Sequence, residues 1–118
     1  MARCEQGYLC DVCHEEVVDV TDSDLYLRYV IGEVDGRALT SAPERHLRCN
    51  PSQAQFIVDE RFEPVVFEGP FDRRLLDADH ASDREQLVTR GWQRLQELAS
   101  LSVPLNEYPL PEFRKGRD

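Results

Sequence analysis

Two short spacings constrain this chain more than anything else in it. Cys10-Asp-Val-Cys13 is a C-x2-C pair, and His46-Leu-Arg-Cys49 is an H-x2-C pair. Together they supply three thiols and one imidazole. Thiolate sulfur and imidazole nitrogen are soft or borderline donors suited to tetrahedral zinc. Two intervening residues let one tight turn aim both donors of a pair at a single ion. Residues 14–45 between the pairs leave room for a hairpin that returns the second pair to the first. The second pair runs directly into Asn50-Pro51, an N-cap followed by proline at the first helical position, which predicts a short helix over 52–58. A helix starting there would turn backbone N–H groups and a positive dipole end toward the thiolates. The predicted ligand set is Cys10, Cys13, His46 and Cys49, and the predicted cofactor is zinc.

Other readings of the same residues compete. Cys4, six residues before Cys10, is an alternative to His46 as a ligand. His14 adjoins Cys13 and is a second alternative, although neighbouring side chains normally point apart. If His46 were a plain surface histidine, three thiolates and an open position would remain. Cys10 and Cys13 could also be buried thiols, a disulfide or a redox pair. Thioredoxin-like C-x-x-C pairs sit where a strand enters a helix, whereas Glu15-Glu-Val-Val here reads as a following strand. The start, Met1-Ala-Arg-Cys-Glu-Gln-Gly, has no apolar stretch of a signal peptide, so the expected compartment is the reducing cytoplasm, where disulfides are rare.

The ligand order Cys, Cys, His, Cys resembles the first zinc-binding half of LIM domains. The plan of knuckle, hairpin and ligands running into a helix resembles treble-clef zinc folds more broadly. The resemblance covers residues 8–58 and rests on the four ligands. The gap between the pairs is longer than in LIM halves, and no second zinc half follows. The resemblance therefore implies a structural zinc module and not LIM function.

The fold class expected is α+β: a small zinc-stabilised β-hairpin module followed by an amphipathic helix and an extended tail. Tyr8–Cys13 reads as a strand ending in a turn, and Glu16–Val20 as a short strand. Leu25-Tyr-Leu-Arg-Tyr-Val-Ile is rich in aromatic and β-branched residues and predicts a strand. Asp35-Gly36 after it is a hairpin signal. A single domain is expected, with a zinc module over 1–60 and an irregular connection over 61–81 carrying a short strand at Val65–Phe67. Ser82-Asp-Arg-Glu85 forms a capping box, and apolar residues from Leu87 to Ala99 at helical spacing predict a helix over 82–101. Gly91 inside it costs about 1 kcal/mol relative to alanine, which points to close packing at that position. A proline-rich tail fills 102–118.

Composition narrows the function classes. The chain has 118 residues and a formal net charge of −9, which repels phosphate backbones. Residues 1–60 hold 12 acids against 5 bases, so the negative charge concentrates around the predicted ligands. Arg45 and Arg48 are the bases nearest them and form no basic stripe, so no nucleic-acid partner is expected. No run of about 18 apolar residues predicts a membrane span. Metalloprotease, serine-hydrolase and phosphate-loop motifs are absent, and His14-Glu-Glu does not precede a P-C-x-x-C as in zinc deaminases. Asp77, Asp79, His80 and Asp83 form an acidic group best read as a solvated loop. The function expected is that of a non-enzymatic zinc-binding protein acting through contacts with a protein partner. The predicted strand at 25–31 would offer an edge for that partner or for a second copy in a homodimer. The alternative is a zinc- or thiol-dependent enzyme using an open metal position, with Cys4 or Cys10 as the reactive group.

Overall fold

The structure, a computed structural model, describes residues 8–17, 19–70 and 72–113. Along the chain run β1 (Tyr8–Leu9), β2 (Glu16–Val17), α1 (Asp24–Val30), α2 (Ala38–Ser41), α3 (Pro51–Ala54) and α4 (Ala78–Leu98). Short 3-10 turns at Val20–Asp22, Leu47–Cys49, Arg73–Leu75, Leu105–Glu107 and Pro111–Phe113 join them. The architecture is helix-rich. Among the described residues, the only β-ladder is β1 against β2, antiparallel, with Tyr8 opposite Val17 and Leu9 opposite Glu16.

The strand expected over Leu25–Ile31 is helix α1. Ser23 caps it, its Oγ accepting the Tyr26 N–H at 3.0 Å. One turn later, Arg28 Nε reaches Asp24 Oδ2 at 3.1 Å. Leu25, Leu27, Val30 and Ile31 are all buried in the main apolar cluster. Burying such side chains contributes about 1.5–3 kcal/mol each, which exceeds the few tenths by which β-branched residues disfavour a helix. With no strand ahead of it, Asp35-Gly36 does not close a hairpin. Asp35 Oδ1 instead accepts the Arg37 N–H at 3.0 Å in the turn that leads into α2.

Helix α4 begins earlier than the capping box predicts. Asp77 is its N-cap, with Oδ2 accepting the Asp79 and His80 N–H groups at 3.1 and 3.2 Å. The acidic group of residues 77–83 is thus the start of a helix and not a loop. Val88, Gly91, Trp92, Leu95 and Leu98 form its buried face. Gly91 sits where α4 crosses α1: a Cβ there would lie 2.4 Å from Ile31 Cγ2 and 2.9 Å from Leu27 Cδ1. The close packing that the sequence suggested at this glycine is therefore present. Trp92 meets Phe62 edge-on at 5.6 Å.

Two further expectations are corrected. Val65–Phe67 forms no strand, because no neighbouring strand offers it a ladder, and Val66 is 69% exposed. The proline-rich tail lies on the domain as expected, a latch over α1 and α4, but it carries two 3-10 turns and is not extended throughout. The Leu110 N–H donates to the Val30 carbonyl at 3.0 Å. Arg94 donates to the Tyr108 and Glu107 carbonyls at 3.0 and 2.7 Å. Arg90 pairs with Glu112, and Leu110 is buried. No helix among the described residues is long and apolar enough to cross a membrane.

Candidate metal centre

The first donor pair sits in the turn between β1 and β2. The Cys10 N–H donates to the Glu15 carbonyl at 2.8 Å, and the His14 N–H donates to the Cys10 carbonyl at 2.9 Å. The chain reverses through His14, whose φ of 67° lies in the left-handed region. Within this turn the Val12 N–H donates to Cys10 Sγ at 3.4 Å.

The second pair sits on one 3-10 turn. His46 precedes it in extended conformation, and Cys49 closes it by donating its N–H to the His46 carbonyl at 3.0 Å. Three residues per turn bring positions i and i+3 to the same side, which is the spacing of His46 and Cys49. The predicted helix after Asn50 shortens to α3, and the Asn50 side chain makes no cap bond to it.

Backbone and side-chain ties hold the two pairs together. The Asp11 N–H donates to the Glu44 carbonyl at 2.9 Å, and the His46 N–H reaches Cys10 Sγ at 3.5 Å. Arg45 grips the Asp11 carboxylate with two bonds of 2.8 Å. Behind the second pair lies the start of α1. The Asp24 N–H donates to the Arg45 carbonyl at 2.8 Å, and Asn50 Nδ2 donates to both oxygens of the buried Asp24 carboxylate at 3.1 Å. Ser23 Oγ donates to the buried Glu44 at 2.9 Å. Burial raises the Asp24 carboxyl above its ordinary range despite Arg28 and Asn50 beside it.

One donor atom from each of Cys10, Cys13, His46 and Cys49 lies within 4.8 Å of the other three. No other group of three or more His, Cys, Asp and Glu residues among the described residues is gathered this way. Cys13 Sγ is 3.3 Å and Cys49 Sγ 3.9 Å from His46 Nδ1. Metal–sulfur bonds of about 2.3 Å and metal–nitrogen bonds of about 2.0 Å imply tetrahedral edges of roughly 3.5–3.8 Å. The cluster could therefore hold a metal ion with small adjustments. His14 stands outside it. Cys4 lies outside the described residues.

The imidazole is oriented for ligation. His46 Nε2 lies 3.0 Å from the Glu16 carbonyl, so the proton belongs on Nε2 and the Nδ1 lone pair faces the sulfurs. Asp22 Oδ2 stands 3.8 Å from the same Nε2. Burial lowers the basicity of His46, but the Glu16 carbonyl, Cys10 and Asp22 outweigh it and the net direction is upward.

The thiols differ sharply. Burial opposes ionisation of Cys10, yet N–H groups of Cys13, His46 and Val12 prevail and hold it at about 6. Cys49 is pushed up to about 12, by burial first and then by Cys10 and Cys13 beside it. Crowded sulfurs cannot all ionise cheaply on their own, and a divalent cation among them removes that repulsion.

Sequence spacing picked out the four residues that the fold gathers but not the contacts that support them. Glu16 reads in sequence as an exposed strand or turn residue, and its side chain is exposed; its carbonyl is what orients His46. The Asp11–Arg45 and Asp24–Asn50 contacts span distant positions and leave no local signature. Of the two nearby bases, Arg45 is spent on Asp11 and Arg48 stacks over the Phe62 ring at 4.2 Å. No protein family, curated protein or solved structure matches the chain.

Proposed function

We propose that this chain is a non-enzymatic zinc-binding protein with a structural Cys3His centre made by Cys10, Cys13, His46 and Cys49. The observation that carries the reading is the closed donor set: four donor atoms within 4.8 Å, one of them an imidazole nitrogen freed for ligation by the Glu16 carbonyl. Catalytic zinc keeps a position for water, whereas four protein donors fill a tetrahedron. Three thiolates also favour zinc over the oxygen-seeking divalent ions. A treble-clef-like resemblance of the module is part of this proposal and rests on ligand order and on the β1–β2 knuckle.

The protein acts through contacts with a protein partner or a second copy, in the cytoplasm. Leu9 and Val12, on the knuckle that carries the first donor pair, are 61% and 51% exposed and give that surface an apolar character.

Metal analysis joined to X-ray absorption tests the reading. One zinc per chain, with three sulfurs and one nitrogen in its shell, is the expected result. A water in the fourth position would favour the enzyme reading. Purification without metal from zinc-replete medium would end the zinc assignment. Light scattering on the zinc-loaded protein decides between a second copy and a different partner, since a strict monomer at high concentration removes the homodimer.

A further inference from the structure

Away from the metal donors, a cleft of about 390 Å³ opens between the α1–α2 connection and the C-terminal latch. The aromatic residues Tyr29 and Phe113 line it together with Pro109, and the carboxylate residues Glu33 and Asp35 stand beside them. No lysine or arginine among the described residues lines it. We propose that this cleft binds the guanidinium group of an arginine side chain presented by a peptide segment of a partner protein.

The cleft is held in shape by its own bonds. Gly32, at a φ of 81°, leaves its Cβ position open, and the Phe113 ring fills that space, with Cδ1 at 2.5 Å from where a Cβ would be. The Tyr29 hydroxyl donates to the Leu105 carbonyl at 2.9 Å. The Leu110 N–H bond to Val30 fixes the tail that carries Phe113. A ligand therefore meets aromatic walls that need no ordering, which limits the entropic cost of binding.

The carboxylates are unequal. Glu33 is engaged by Arg84 and Gln53. Asp35 is 39% exposed; it accepts the Arg37 N–H, and the one cationic side chain paired with it among the described residues is Arg37 itself, at 3.7 Å and 94% exposed. Such a loose surface pair contributes little and yields readily to a better-held cation. The Tyr29 hydroxyl resists ionisation because of burial first and the Asp35 charge second, so the negative field of Asp35 reaches the aromatic wall. A flat guanidinium suits this combination more than an ammonium, because it stacks on a ring face while forking onto a carboxylate. The net charge of −9 draws cationic partners toward the molecule.

The test uses the full, metal-loaded chain and N-acetyl-arginine amide, followed by amide chemical shifts in NMR. Saturable shifts confined to Gly32–Gly36 and the tail are expected at millimolar probe. N-acetyl-citrulline amide, neutral and nearly the same shape, should bind about tenfold more weakly, since it lacks the cation–ring and charge terms. Asp35→Asn keeps an acceptor for the Arg37 N–H and so keeps the turn. It should weaken arginine binding several-fold and leave citrulline unchanged. Raised salt should act in the same direction. Absence of saturable shifts, equal binding of the two probes, or unchanged arginine binding in Asp35→Asn would each overturn the proposal.

Discussion

The two sides of α1 are held by different physics. On one side, α4 and the tail cover it with an apolar core of Leu27, Val30, Ile31, Val88, Trp92 and Leu95. On the other, the segment carrying His46 and Cys49 adds Leu47 to that core and otherwise meets the start of α1 through polar groups: Ser23, Asp24, Glu44 and Asn50. The knuckle beyond that segment buries Cys10 and Val17 but leaves Leu9 and Val12 in solvent. A region with so little buried apolar surface relies on directional bonds. The donor cluster, the Asp11–Glu44 and Asp11–Arg45 contacts and the His46–Glu16 contact tie the knuckle to residues 44–50. The contrast explains why a small chain can keep a well-defined site outside its core: the helices supply the platform, and the site needs only chemistry to close.

The largest effect should come from taking the metal away. Zinc contributes about 10–16 kcal/mol of apparent binding energy in small zinc domains, and in them that energy is folding energy. Chelation, or Cys49→Ala, is expected to lower the melting temperature more than any core substitution, with knuckle amide signals lost first and α4 helicity lost last. A melt that ignores the chelator would place the stability of both regions in the apolar core. Acid should mimic chelation. Protons compete for the three thiolates and His46, so stability present at neutral pH is lost as pH falls through the values of the bound donors. Asp24 works with the opposite sign. Its raised carboxyl means that its ionisation opposes the fold, so its own contribution is lost as pH rises, and an acid-induced loss cannot come from it.

Next in size is Trp92→Ala, which deletes the ring against Phe62 and should cost about 3–5 kcal/mol by denaturant titration while zinc stays bound. Release of zinc in the same variant would show that the two regions unfold as one. Asn50→Ala should cost about 1–3 kcal/mol, because it strips the buried Asp24 carboxylate of its two amide bonds. This contact belongs to both regions, so faster zinc loss to a chelator should accompany the lower stability; unchanged zinc kinetics would mean that α1 does not steady the donors. The smallest effect is expected for Gly91→Ala. The new methyl would press on Ile31 and Leu27 at a cost of about 1–3 kcal/mol, reduced by about 1 kcal/mol of helix propensity. A variant more stable than the parent would show that the α1–α4 contact can give way.

The same division explains what the sequence could disclose. Cys10, Cys13, His46 and Cys49 were legible because a ligand pair on one turn is a local pattern. The long helix was legible through its apolar spacing, though its start was not. Asp77 and Ser82 are both good caps, and the earlier one prevails as the helix extends one more turn through Ala78–Ala81. Leu25–Ile31 misled for a physical reason. Its aromatic and β-branched residues favour a strand in isolation, but the burial that decides the matter is provided by Gly91, Trp92 and Leu95, some sixty residues away in the chain. The overlooked local signal was Ser23-Asp24, a helix cap directly ahead of the run.

The order of these parts along the chain carries one more consequence. All four donors fall within residues 10–49, whereas α4, whose buried face packs on α1, begins at residue 78. During synthesis from the N-terminus, the whole donor set emerges from the ribosome while α4 is still being made inside the exit tunnel. The nascent chain can therefore be competent to capture its ion before its apolar core can form. A shortage of zinc would then strike during translation, when α4 is not yet there to cover α1.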